Sequence, residues 1–143
     1  MENLLENSFA NIKKQLQKYL NQTFKDLNLK SAEIIFLRVL HNQSGMTQIE
    51  LSRKLSCDKA HIHRTATKLM EKGLITYQSQ ERHGSIKLTE SGNWAIEKSN
   101  LAMHKWIEAV TLGIDKQELE VCRKVVLQII SNAEKIELEN EDD

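Results

Sequence analysis

Along the N-terminal segment, apolar residues recur at steps of three and four: Leu5, Phe9, Ile12, Leu16, Tyr19/Leu20, Phe24 and Leu27. That spacing predicts a long helix over about 3–27 with one apolar stripe. Ser31 is placed to cap a second helix, with Glu33 in its first turn. Here Ile34, Ile35, Leu37, Val39 and Leu40 occupy more than one face, as in a central core helix, and Gly45 supplies its C-terminal break. Thr47-Gln48-Ile49-Glu50 has the capping-box pattern and opens a short helix carrying Ile49, Leu51 and Leu55. After a break at Ser56 and Cys57, Asp58 caps another helix to about Lys72, closed by Gly73. Its buried face is predicted to be Ile62, Ala66, Leu69 and Met70. Lys59, His61, His63, Arg64, Thr67, Lys68 and Glu71 make the outer face.

The period then changes. Residues 74–78 and 85–88 are rich in β-branched side chains and partly alternate, with a polar stretch between, which predicts a β-hairpin. Thr89 caps a long helix through Trp94, Ile96, Leu101, Trp106 and Val110, ended by Gly113. Asp115 opens a last helix with Leu119, Cys122, Val126, Ile129, Ala133 and Ile136 on one stripe. The charged tail 137–143 is expected to fray. The pattern therefore predicts a mainly α fold with one small β-hairpin.

Charge sharpens this picture. The net charge of the 143 residues is zero, yet residues 53–87 hold eight Lys or Arg against three acids, and residues 134–143 hold six acids against one lysine. A basic middle points to a polyanionic partner. With no proline and five glycines, the composition favours helices over elaborate loops. No run of about 18 apolar residues is present and the N-terminus lacks signal-peptide features, so no membrane span is expected. Two cysteines make no disulfide framework, and a reducing cytoplasm is the expected compartment.

A short helix, a tight turn and a second helix with a basic outer face form a helix-turn-helix, and a hairpin directly after it forms a wing. The runs Leu51-Ser52-Arg53-Lys54-Leu55, Asp58-Lys59, Leu69-Met70-Glu71-Lys72-Gly73-Leu74-Ile75 and Leu88-Thr89-Glu90-Ser91-Gly92 resemble the MarR (multiple antibiotic resistance regulator) family. The likeness covers nearly the whole chain. It implies a winged helix-turn-helix homodimer that binds palindromic operators in double-stranded DNA. It also implies a repressor, commonly released by a small, often aromatic, effector. The expected organisation is a single domain over 1–143, with dimerisation helices at about 3–27 and 89–137 and a DNA-binding lobe at about 31–88.

In such a lobe the second helix lies in the major groove with its N-terminal residues at base edges. Lys59, Ala60, His61, His63 and Arg64 occupy those first turns; Arg64 is expected to donate bidentately to guanine and the histidines to contact bases or phosphates. Arg53, Lys54 and Lys68 are expected on phosphates. Many family members have a longer wing with Asp-x-Arg at its tip. Here the tip is Gln80-Glu81-Arg82-His83-Gly84, and Arg82 is the candidate wing arginine. Protonation of His61 and His63 near pH 6.5 is expected to strengthen binding, which flat affinity between about pH 6 and 8 would contradict.

Other chemistry is less supported. Cys57 precedes the recognition helix, a position that permits a redox switch, although a small packed side chain is the plainer reading. Cys122 belongs to a core or interface stripe. No compact Cys/His spacing points to a metal, no cofactor is implied, and no catalytic motif is present, so no enzyme is expected. Tyr19, Phe24, Trp94 and Trp106 are candidates for an effector pocket or for plain core; the effector itself is not identified. The terminal stripes call for a second copy, whose two-fold axis sets recognition helices about 34 Å apart. The alternative function is a winged-helix protein-interaction module without DNA binding.

Overall fold

A computed structural model describes residues 2–43, 45–78 and 84–141. It contains α1 (Glu2–Thr23), α2 (Ser31–Asn42), α3 (Gln48–Leu55), α4 (Lys59–Glu71), β1 (Ile75–Tyr77), β2 (Ile86–Leu88), α5 (Glu90–Val110) and α6 (Lys116–Glu141), with a 3-10 turn at Lys25–Leu27. The chain divides into two compact units, Met1–Trp106 and Ile107–Asp143.

In the first unit, α2 is the centre of the core. Phe36, Ile34, Leu37 and Leu40 are essentially inaccessible, and Leu20, Phe24, Leu51, Ile62, Leu69, Ile86 and Ile96 join the same cluster. Full burial of such side chains contributes about 1.5–3 kcal/mol each. The predicted first helix ends four residues early: Phe24 turns into the core, and the 3-10 turn closes with Asn28 in the left-handed region (φ 52°).

The expected cap of α2 is corrected. Ser31 is the first helical residue, buried, and its N–H donates to Asn21 Oδ1 at 2.7 Å. The cap is instead made by Glu33 Oε2, which accepts the N–H of Lys30 at 2.8 Å. Thr47 behaves as expected: its Oγ1 accepts from Glu50 N–H, and Glu50 Oε2 accepts from Thr47 N–H at 2.7 Å. α3 then closes over Ser56 (φ 49°), with Ser56 N–H on Arg53 O and Cys57 N–H on Ser52 O.

β1 and β2 pair antiparallel with Ile75 opposite Leu88 and Tyr77 opposite Ile86. One buried isoleucine from each strand, Ile75 and Ile86, points to the core. Ile86 N–H also donates to Met46 O at 2.9 Å, so the loop before α3 adds one backbone bond to the hairpin.

In the second unit, Asp115 Oδ1 accepts the N–H of Gln117 at 2.7 Å and opens α6. Helix continues to Glu141, so the expected fraying from residue 137 is not found through residue 141. Leu119, Val126 and Ile129 are half-buried, but Cys122 is exposed, which removes the core option for that cysteine in the single chain. Hydrogen bonds from Arg123 hold the Glu120 carboxyl below its ordinary pKa on this exposed surface.

Candidate nucleic-acid interface

α4 owes its position to its two ends and its inner face. Asp58 Oδ1 accepts the N–H of His61 at 2.7 Å, satisfying a first-turn donor. At the other end Gly73 takes φ 70°, with Gly73 N–H on Met70 O and Leu74 N–H on Leu69 O. That paired pattern requires a left-handed residue, which glycine adopts without a Cβ penalty.

The buried face is Ile62, Thr65, Ala66 and Leu69. Met70, expected there, is 46% exposed because it lies about 100° beyond Leu69 around the helix. Thr65 takes the vacated share of the face: its hydroxyl donates to His61 O at 3.0 Å, so its burial leaves no unmet donor.

On the outer face, Lys59, Ala60, His63, Arg64 and Lys68 are exposed, and His61 is half-buried. Arg53 and Lys54 are exposed on the last turn of α3, directly before the turn into α4. The structure thus brings eight of the candidate residues together on one helix-turn-helix. Arg82 lies outside the described residues. Cys57 is half-buried in the turn and its Sγ donates to Leu55 O at 3.3 Å.

The wing is anchored by contacts the pattern reading missed. Gln48 Nε2 donates to the Tyr77 hydroxyl at 2.6 Å, tying the first turn of α3 to β1. Beyond the strands, Gln78 N–H reaches Ser85 O at 2.9 Å. Both contacts join residues far apart in sequence or at a hairpin register, so no local pattern announces them. Arg38, another cation, is occupied elsewhere: it donates to Asn100 Oδ1 at 2.7 Å and Ser99 Oγ at 3.2 Å.

Two clefts of about 400 Å³ share Leu27 and Trp94 as walls. One is walled by Leu27, Leu29, Lys72, Leu74, Glu90 and Ala95. The other is walled by Tyr19, Phe24, Leu101 and Ala102, with Lys98, Lys105 and Asp26 at its polar positions. Tyr19, Phe24 and Trp94 therefore line a cavity, whereas Trp106 is not among the lining residues. Lys98 Nζ sits 5.3 Å from the centre of the Trp94 ring, within cation–π range. Among the described residues no group of three or more His, Cys, Asp or Glu is placed to hold a metal ion. No described helix is long and apolar enough to cross a membrane.

The MarR family model matches residues 29–89, from the start of α2 through the wing. Over these residues the chain is similar to the MarR family. Solved MarR structures extend the likeness to the flanking helices. A MarR transcriptional regulator from Methanosarcina mazei Go1 is 22% identical with a TM-score of 0.89, covering 95% of this chain and 93% of that one. Staphylococcus aureus MarR in complex with salicylate and kanamycin is 25% identical with a TM-score of 0.84, covering 94% and 93%. A third MarR crystal structure is 24% identical with a TM-score of 0.87, covering 94% of each chain. These likenesses give the chain a MarR-like fold, mainly helical with a two-stranded antiparallel hairpin.

Proposed function

We propose that this protein is a DNA-binding transcriptional regulator of the MarR family, not an enzyme: a homodimeric repressor of a palindromic operator, released by a small aromatic effector. The observation that carries the reading is the division of α4. Ile62, Ala66 and Leu69 are at most 1% exposed, while Arg64, His63 and Lys68 on the other side are exposed and unburdened by core packing. In this reading Ala60, His61, His63 and Arg64 face base edges, with Arg64 bidentate to guanine. Lys59, Arg53, Lys54 and Lys68 take phosphates and set the register. Arg82 is the wing cation. The whole chain works as one regulatory domain, and its compartment is the cytoplasm, where it meets the chromosome.

Dimerisation is supported by apolar side chains left open on helices of each unit: Leu5, Phe9 and Ile12 on α1, and Val121, Val125, Leu127 and Ile130 on α6, are between 43% and 60% exposed. Covering them with the same helices of a second copy sets the two recognition helices about 34 Å apart, one DNA turn. Repression follows from competition with polymerase for the operator. The effector reading is supported by the cleft of Tyr19, Phe24 and Trp94, whose Lys98 and Lys105 suit an aromatic anion. The S. aureus relative was captured with salicylate and kanamycin. Binding there would change the separation or tilt of the two α4 helices.

Fluorescence anisotropy against the duplex upstream of the protein's own gene, at about 50 to 300 mM salt, tests the reading. Two protomers per site and a steep salt slope are expected. Arg64→Ala is expected to lose about 1–3 kcal/mol and relax the base preference at one position per half-site. A folded dimer that binds neither this duplex nor a random-sequence pool would favour a protein-docking role for the winged helix.

A further inference from the structure

The C-terminal end of α4 is held by an ion pair that no DNA contact needs. Lys72 Nζ donates to Glu33 Oε1 and to the carbonyl oxygen of Asn28, each at 2.5 Å. The Glu33 side chain is 6% exposed and that of Lys72 is 25% exposed. Glu33 Oε2 is occupied as well, by the N–H of Lys30. On the other side of the same corner, Gly73 O accepts the Thr89 hydroxyl at 2.6 Å and Leu74 O accepts the Thr89 N–H at 3.1 Å. One end of α4 is thereby tied both to the start of α2 and to the start of α5.

The inner face of α4 fixes which side is buried, but it sets the tilt and fine rotation only coarsely. Ile62, Ala66 and Leu69 are aliphatic, and apolar burial is non-directional. A charged hydrogen-bonded pair is directional. We propose that Lys72 and Glu33 form a positioning latch that sets the tilt and rotation at which the outer face of α4 meets DNA. The proposal rests on α4 being the recognition helix. Lys72 itself follows Arg64 by eight residues, about 12 Å along the axis, and its ammonium is committed to two acceptors. It acts through α4 and not on the duplex. The lever is long: α4 has 13 residues, about 20 Å. A tilt of roughly 5° at the latch therefore moves the first turn by close to 2 Å, several times the ~0.5 Å tolerance of a preorganised site.

Lys72→Met alone leaves a buried carboxylate unpaired and is expected to destabilise the fold. The informative variant is E33Q/K72M, which removes both charges and keeps an acceptor for Lys30 N–H. K72R, which keeps the charge, is its rescue control. The probes are a duplex enriched by the wild-type protein from a random pool and a scrambled duplex of equal length, at fixed salt. E33Q/K72M is expected to keep wild-type helicity and lose about tenfold or more on the enriched duplex, with under about threefold loss on the scrambled one. K72R is expected to stay within about threefold of wild type on both. Equal losses on the two duplexes, or no loss, would overturn the latch. Hydrogen exchange without DNA gives an independent reading: faster exchange at Lys72, Gly73 and Leu74 in E33Q/K72M supports the latch, and unchanged protection sinks it. A wild-type protein that enriches no sequence would overturn the recognition-helix reading instead, leaving the exchange result to decide the latch.

Discussion

Lys54 on α3 and Lys68 on α4 are exposed cations, proposed to contact phosphates where Arg64 is proposed to read bases. Phosphate contacts carry no sequence information and release counterions. Lys54→Ala and Lys68→Ala are therefore each expected to weaken binding evenly across duplexes and to lower the salt slope by about one, measured by titration at several salt concentrations. The candidate site residues were legible because charge and helical period are both local. Met70 and Thr65 were not. Their exchange of roles depends on a hydroxyl finding the carbonyl of His61 one turn back, which lets a polar residue enter the core face while a flexible apolar one leaves it. Lys72 and Glu33 were equally hidden, since 39 residues separate them and each alone reads as a solvated helix charge.

α4 stands on its cap and its corner. Asp58→Ala removes the acceptor for His61 N–H and is expected to cost about 0.5–2 kcal/mol in thermal or denaturant unfolding. At the corner, Gly92 on α5 lies against the carbonyl oxygen of Leu74, and a methyl there would run into backbone, not into a yielding side chain. Gly92→Ala is expected to destabilise by about 1–3 kcal/mol. It should also disturb the Thr89–Gly73 tie and so lower operator affinity, which a binding assay on folded protein will show. The six helices and the hairpin were all readable from periodicity and caps. The boundary at Phe24 and the cap at Glu33 were not, because both are set by what the residue meets across the core and not by its neighbours in sequence.

For the whole molecule, the open apolar stripes on α1 and α6 lead to a concentration-dependent assembly. The wild-type protein is expected to sediment at twice the 16.5 kDa chain mass, and Phe9→Asp to shift it toward the monomer with a large loss of operator affinity. A monomeric wild type, with those side chains open, would remove the dimer. Amphipathic period, capping residues and the clustering of cations in residues 53–87 are properties of neighbouring residues, and they alone determined the winged helix-turn-helix and the basic face of α4. Which side chains converge across tens of residues is decided by packing. The Lys72–Glu33 pair, the Gln48–Tyr77 anchor of the wing and the clefts around Trp94 exist only because α1 to α5 and both strands bury a shared core, which brings distant groups together.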